Sequence, residues 1–229
     1  MMMMVFEGSE DMAPDRPGGE KAKAGGSDIA RRIASLTPTL PDRKVSDLRG
    51  IWLNAVRLIA KADPDDVLLL GRFIERIEAE WEKREASAGL SDDEYFQWPN
   101  TETSSGRRVI TVGERDDTTS GMLAYLEYHV GREKGEPPGV RHAILDRVFS
   151  GSLPPVFDRD YLAQWGSPGS AQRLQKLAET LAARARSFKR RRNTSLDDAI
   201  RDWEADLDFL HEKYYVGKFG FAWPMRRTR

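Results

Sequence analysis

The spacing of apolar side chains predicts α-helices in the first half of the chain. In residues 45–61 and from Pro64 to about Ala86, apolar positions recur every three or four residues, which places them on one face of a helix. Asp63 before Pro64 is typical of a helix start, because the carboxylate accepts a free backbone N–H and proline has none to leave unsatisfied. The short connection makes these two helices an antiparallel hairpin.

The same period recurs in the last third of the chain. It predicts helices over about 138–149, 171–191 and 196–215. Ser195 and Asp198 approximate a capping box at the start of the last of these helices, with Asp in place of the usual Glu. We therefore expect a second set of packed helices in this part of the chain.

The residues between these helical parts predict a small mixed segment. Arg107–Val112 is rich in β-branched residues, which favour a strand, and Tyr128–Val130 reads as extended. Paired beside the neighbouring helices, the two stretches would form a β-ribbon in a winged-helix-like arrangement. The predicted fold is therefore mainly α, with helical hairpins or a bundle at both ends and this β-ribbon or winged-helix-like segment in the middle.

Composition divides the chain into three parts. Residues 1–42 mix Gly, Pro and charged residues with few apolar ones, which predicts a disordered N-terminal tail, although Ala30–Leu36 can form a short helical turn. Residues 43–104 would hold the helical hairpin, and residues 105–229 a mostly helical domain with a basic helix end and an aromatic tail. A stretch rich in Thr, Ser, Gly and Asp around residues 100–120 sets the boundary.

The phrase Phe-x-Trp-Pro occurs twice, at residues 96–99 and 221–224. Each copy follows a helix that carries Trp-Glu, with the tryptophan at Trp81 or Trp203. Large rings beside a proline are costly to leave in water, so each phrase predicts an aromatic clasp on a helical core. The alternatives are an internal duplication and a chance recurrence, since the flanking sequences share little else.

Composition also excludes several kinds of chemistry. The chain of 229 residues has no cysteine, which removes disulfides, thiolate metal sites and thiol nucleophiles. No apolar run approaches the roughly 20 residues of a membrane span. Met1–Phe6 is too short for a secretory signal and lacks a basic lead. The expectation is a soluble cytoplasmic protein without contact to a membrane.

No pattern in the sequence is typical of an active site. The histidines are His129, His142 and His211, and no pair has the spacing of a helical zinc site. The sequence also lacks a phosphate-binding loop, a calcium loop and a Gly-x-Ser-x-Gly elbow. We expect no catalytic residue, metal or cofactor, and an enzyme of unknown class is the third choice among the functions.

The strongest charge feature is a basic cluster near the end of the helix over 171–191. Its members are Arg184, Arg186, Lys189, Arg190, Arg191 and Arg192. Cations without acids among them favour contact with phosphates. The next predicted helix is acidic, however, so the two helices can neutralise one another, and both charge sets also suit the helix dipoles.

Two functional hypotheses follow from this charge feature. The first is a non-enzymatic helical accessory protein that binds nucleic acid, or a partner acting on nucleic acid, through the basic cluster. The net charge of −1 requires that any such attraction be local. The alternative is a protein-interaction or oligomerisation module without nucleic-acid contact, which would carry a contiguous exposed apolar patch.

Overall fold

The computed structural model describes residues 23–86, 121–156, 159–190 and 196–224. These stretches form eight α-helices, a 3-10 helix and a π-helical turn. In chain order they are α1 (Lys23–Leu36), the 3-10 helix (Thr37–Asp42), α2 (Val45–Ile59), α3 (Pro64–Ala86), α4 (Met122–Tyr125), α5 (Pro138–Ser150), α6 (Arg159–Ala163), α7 (Ala171–Arg190), α8 (Asp197–Leu210) and the π-turn (His211–Tyr215). The prediction of a mainly α fold is confirmed.

The hairpin of α2 and α3 forms as its apolar spacing predicts. An Asp63 carboxylate oxygen accepts the backbone N–H of Asp66 at 2.9 Å, which satisfies one free donor of the first turn of α3. The two helices pack along their apolar faces, and the rings of Trp52 and Trp81 meet with centroids 5.9 Å apart. Both rings are fully buried, so this contact lies at the centre of the hairpin.

Residues 23–42 fall within the N-terminal tail that the composition predicts over residues 1–42. They form α1 and the 3-10 helix, and both pack on α3. Leu40 is buried, and Arg84 of α3 donates to the carbonyls of Leu40 and Pro41. A few apolar side chains suffice to order the segment because α3 offers them a surface, which the composition of the segment alone does not reveal. Residues 1–22 lie outside the described part of the chain.

The expected β-ribbon is not seen among the described residues. Tyr128–Val130 runs between turns, and Glu127 adopts a left-handed backbone with φ of 55°. The N–H of Tyr128 is bound to the Leu123 carbonyl, and the His129 carbonyl accepts the N–H of Glu136. The N–H of Tyr128 and the carbonyl of His129 are therefore bonded to groups within residues 123–136 and not to a second strand. The proposed partner strand, residues 107–112, lies outside the described residues.

The helices on either side of residue 105 share one hydrophobic core. α2 packs on α5, α5 packs on α7 and α8, and α7 and α8 form the most extensive pair. Buried side chains from all these helices belong to a single cluster. Residues 87–120, which hold the proposed boundary, are outside the description, so the division into parts 43–104 and 105–229 stays a prediction.

The aromatic tail after α8 closes one edge of the core. Phe219 lies edge-on to Phe149 of α5, and Trp223 packs against Tyr215, with ring centroids 4.9 Å apart. Phe221 and Trp223 are half-buried, so they cover the core edge and keep one side in water. The first Phe-x-Trp-Pro phrase, at residues 96–99, lies outside the described residues, and the duplication hypothesis stays a prediction.

Candidate functional site

The interior of the helical core contains a fully buried carboxylate, Asp206 of α8. It accepts hydrogen bonds from the Tyr128 hydroxyl at 2.5 Å, from Nε of Arg141 at 2.8 Å and from Nη2 of Arg141 at 3.2 Å. Nε2 of His142 lies 3.1 Å from Oδ1 of Asp206, the oxygen that also accepts from Nη2 of Arg141, and Arg141 pairs with Asp202 at 3.2 Å. A buried charge needs such compensation, so the network joins α5, α8 and the Tyr128 segment.

The hydrogen bonds and ion pairs of this network hold α5, α8 and the Tyr128 segment together. Burial, followed by the adjacent charge of Asp206, raises the pKa of Tyr128 well above its ordinary value of 10. Burial lowers the pKa of Arg141, but its bonds to Asp206 raise it more, so the guanidinium stays charged. Asp206 has no exposed surface through which a substrate could reach it. The imidazole of His142 is stacked on the ring of Phe209, with centroids 3.9 Å apart.

A second buried carboxylate, Glu78 of α3, links the hairpin to α5. It accepts Nε1–H of Trp52 at 3.0 Å and two donors of Arg147 at 3.0 and 2.5 Å. Burial raises the pKa of Glu78, and its bonds to Arg147 and Trp52 oppose that rise. Sequence reasoning missed this residue, although a signal existed. Glu78 lies beside Ile77, on the same helical face as the buried stripe of α3.

The predicted basic cluster is only partly available to a partner. Arg184 is 5% exposed and sits on the apolar face of α7, close enough to Tyr128 to affect its pKa, so it belongs to the interior. Lys189 pairs with Glu204 of α8 at 2.5 Å. Arg186 is half-buried and Arg190 is exposed, and neither forms an ion pair with any residue that the structure describes.

Of the six cluster residues, Arg191 and Arg192 lie outside the described part of the chain. The structure thus separates residues that the sequence grouped. Arg184 is buried, Lys189 is paired with the next helix, Arg186 is half-buried, and Arg190 is exposed. Helical spacing contained a signal for the buried one, since Arg184 falls three residues after Leu181, on the stripe that packs against α8.

An open apolar groove lies at the opposite end of the chain, between α1 and α2. Both helices pack on α3, and a volume of about 650 Å³ separates them. Buried Leu70 and Phe73 of α3 lie beneath it. The α1 side is lined by Ile29, Arg32, Ile33, Ser35 and Leu36, and the α2 side by Ile51, Asn54, Ala55, Arg57, Leu58 and Lys61.

Apolar side chains stay accessible along this groove. Ile29, Ile33 and Ile51 are only half-buried, and Leu58 is 42% exposed. A second hollow of about 420 Å³ flanks the other side of α1, where Leu69 is 38% exposed. Contiguous accessible apolar surface of this kind marks interaction sites on folded proteins. Sequence reasoning missed the groove because it depends on the separation of α1 from α2.

Other kinds of site lack support in the described part of the chain. Residues 23–86, 121–156, 159–190 and 196–224 hold no cluster of three or more His, Asp or Glu side chains placed to bind a metal ion. None of the helices formed by these residues is both long enough and apolar enough to cross a bilayer.

Comparison with known proteins adds no assignment. No protein-family model matches the chain, and neither a curated protein nor a solved structure shows significant similarity to it. The features of the structure that bear on function are therefore the α1–α2 groove and the two α7 cations Arg186 and Arg190.

Proposed function

We propose that this protein is a protein-interaction module, and that the groove between α1 and α2 receives a helix of another protein. The single observation that carries the proposal is an open apolar volume of about 650 Å³ over Leu70 and Phe73, with half-exposed aliphatic side chains on both sides. Apolar grooves between helices are a common docking site for amphipathic helices. Burial of Leu58 and its neighbours on docking provides the driving force.

The dimensions of the groove suit a helix of about three turns. Its α2 side extends from Ile51 to Lys61, and the ten steps between these residues at a helical rise of 1.5 Å make a length of about 15 Å. α1 and α2 rest side by side on α3, and a further helix set over their gap would complete a four-helix arrangement. Such a helix presents apolar side chains at i, i+3, i+4 and i+7.

The experiment is a selection of displayed peptides with that apolar spacing and random intervening residues, using the full chain as bait. We expect selected peptides to lose at least tenfold in affinity for the variants Leu58→Asp and Asn54→Trp. The first places a charge in the groove, and the second fills it from an exposed position. The matched control is Leu68→Asp, because Leu68 is 57% exposed on α3 and lies outside the groove.

Two results would contradict the docking proposal. One is a selection that yields no binder under conditions where the chain is folded. The other is a set of binders whose affinity is unchanged in Leu58→Asp and Asn54→Trp. Preserved helical circular dichroism in both variants separates loss of binding from loss of fold.

Nucleic-acid binding is the second candidate function. Arg186 and Arg190 favour it, because the acidic helix α8 leaves both without an ion pair among the described residues. Electrophoretic shift assays at low and moderate salt provide the test. The double reversal Arg186→Glu/Arg190→Glu should weaken binding and reduce its salt dependence, whereas reversal of the exposed Arg72 on α3 should not. Absence of binding at low salt would exclude this function.

A further inference from the structure

The charges along the α1–α2 groove are all of one sign. Its polar lining consists of Arg32, Arg57, Lys61, Ser35 and Asn54, and no carboxylate is among the lining residues that the structure describes. Apolar contacts set the affinity of a docked helix, and charges at the edge select which helix approaches. The state of each of the three cations therefore decides what the groove prefers.

Arg57 is already neutralised within the fold. Its Nη2 lies 2.7 Å from Glu136 and 2.9 Å from Glu127, and its Nε donates to Glu136 at 3.1 Å. Burial lowers the pKa of Arg57, but the two glutamates raise it by more than burial lowers it. The side chain therefore stays charged and paired with Glu136 and Glu127. Arg57 holds the groove to the segment after α4 and offers little net charge to a ligand.

Arg32 and Lys61 are in a different state. Both side chains are exposed, and neither forms an ion pair or donates a side-chain hydrogen bond to any residue that the structure describes. Arg32 lines the groove from α1 and Lys61 from the turn after α2, so the two cations approach it from opposite sides. A ligand between them meets positive charge on both flanks.

Resting on the docking function proposed above, we infer that the natural occupant is an amphipathic helix with carboxylates on both sides of its apolar stripe. Its apolar side chains lie over Leu70 and Phe73, and its Asp or Glu side chains face Arg32 and Lys61. A helix flanked by lysines would instead place cations beside these two residues without a carboxylate to separate them. Such like-charge contact is what excludes wrong partners at charged interfaces.

The test uses two synthetic peptides of about three turns with the same leucine stripe, one flanked by glutamates and one by lysines. Their affinities for the full chain are measured by fluorescence anisotropy at two salt concentrations. We expect the glutamate peptide to bind at least tenfold more tightly, and the difference to shrink as salt screens the charges. The double variant Arg32→Glu/Lys61→Glu should reverse this order, because it replaces both flanking cations with carboxylates.

The matched control is the double variant Arg72→Glu/Lys218→Glu. It makes the same change of net charge at two exposed positions outside the groove and should keep the preference for the glutamate peptide. Equal binding of both peptides, lost in Leu58→Asp, would overturn the inference about charge and leave the docking function standing. Failure of both peptides to bind, or binding that Leu58→Asp leaves unchanged, would count against the docking function itself.

The same protein, variant and peptide also test two other occupants of the groove, which are a second copy of the chain and a fatty acid. Light scattering of the chain alone reports a second copy in the groove, if a dimer forms and Leu58→Asp dissociates it. A long-chain fatty acid that displaces the glutamate peptide at equimolar amounts reports a small-molecule site. Either result would overturn the assignment of an acidic helix as the occupant, whereas a monomer indifferent to fatty acid supports it.

Discussion

The α1–α2 groove and the α5–α8 centre of this molecule differ in which side chains they bury. The centre buries a charged side chain, whereas the groove leaves apolar side chains exposed. In the centre, Asp206 is fully buried and every one of its contacts is internal, to Tyr128, Arg141 and His142. At the groove, Leu58 stays 42% exposed, and the Lys61 side chain forms no ion pair with any residue that the structure describes. The difference teaches that the charges of the centre hold the fold together, whereas accessible apolar surface remains in the groove between α1 and α2.

The largest effect should come from breaking the central network. Asp206→Asn leaves the guanidinium of Arg141 buried without its full countercharge, and removal of one partner from a buried ion pair costs about 3–5 kcal/mol. Urea denaturation measures the loss. Asp198→Asn on the same helix removes an exposed pair with Arg201 and one carboxylate from the first turn of α8, and it should change stability by less than about 1 kcal/mol. Equal effects of the two variants would contradict the structural role of Asp206.

A second contrast compares two glycines. At Gly151, an added Cβ would lie 2.5 Å from an oxygen of Glu78, so Gly151→Ala should destabilise the protein by about 1–3 kcal/mol through forced rearrangement of that carboxylate. Gly50 within α2 has open space, and Gly50→Ala should stabilise it by about 0.5–1 kcal/mol, because alanine favours the helix. Thermal unfolding of both variants provides the measurement. An unfolding temperature of Gly151→Ala equal to that of the unsubstituted chain would argue against tight packing around Glu78.

Alkaline pH should weaken the centre through Tyr128. Its pKa in the folded state is raised above the value of 10, so the native state holds the phenol proton that the unfolded state releases. The associated stability is complete below about pH 10 and is lost as pH rises above it, by up to about 1.4 kcal/mol per pH unit for one group. Urea midpoints measured above pH 10 should fall less steeply in Tyr128→Phe than in the natural chain. Identical slopes would contradict the buried state of this phenol.

The smallest effect concerns the basic end of α7. Lys189 and Glu204 form a partly exposed pair, with side chains 17% and 21% exposed, so a double-mutant cycle should yield a coupling of about 0.2–1 kcal/mol. The variants Lys189→Ala and Glu204→Gln, alone and together, supply the cycle by urea denaturation. A coupling indistinguishable from zero would mean that α8 does not hold Lys189 in solution.

Much of the fold was predictable from the sequence because its main helices have a regular apolar period. The stripes of α2, α3, α5, α7 and α8 each bury against a partner, and Asp63 caps α3 as its sequence indicates. Only the last part of α1 was predicted, as a short helical turn over Ala30–Leu36, because the segment has few apolar side chains. Its order comes from the surface of α3, which no local pattern encodes.

The candidate sites were harder to predict for two physical reasons. α8 carries several acidic residues, and the sequence pattern does not show which of them is buried. In the structure only Asp206, next to Leu207, is fully buried among the acids of α8. Arg184 likewise follows the buried apolar stripe of α7, whereas Arg190 of the same helix is exposed. The groove is a gap between elements, so it depends on distances that sequence periodicity does not specify.

The most direct test of the docking function is a methyl spectrum of the full chain, labelled at Ile and Leu, with and without the glutamate-flanked peptide. Docking predicts the largest shifts at Ile33, Leu58 and Leu70, with little change at Ile200 and Leu207 in the α8 core. Shifts centred on α7 and α8, or a spectrum that saturating peptide leaves unchanged, would contradict it.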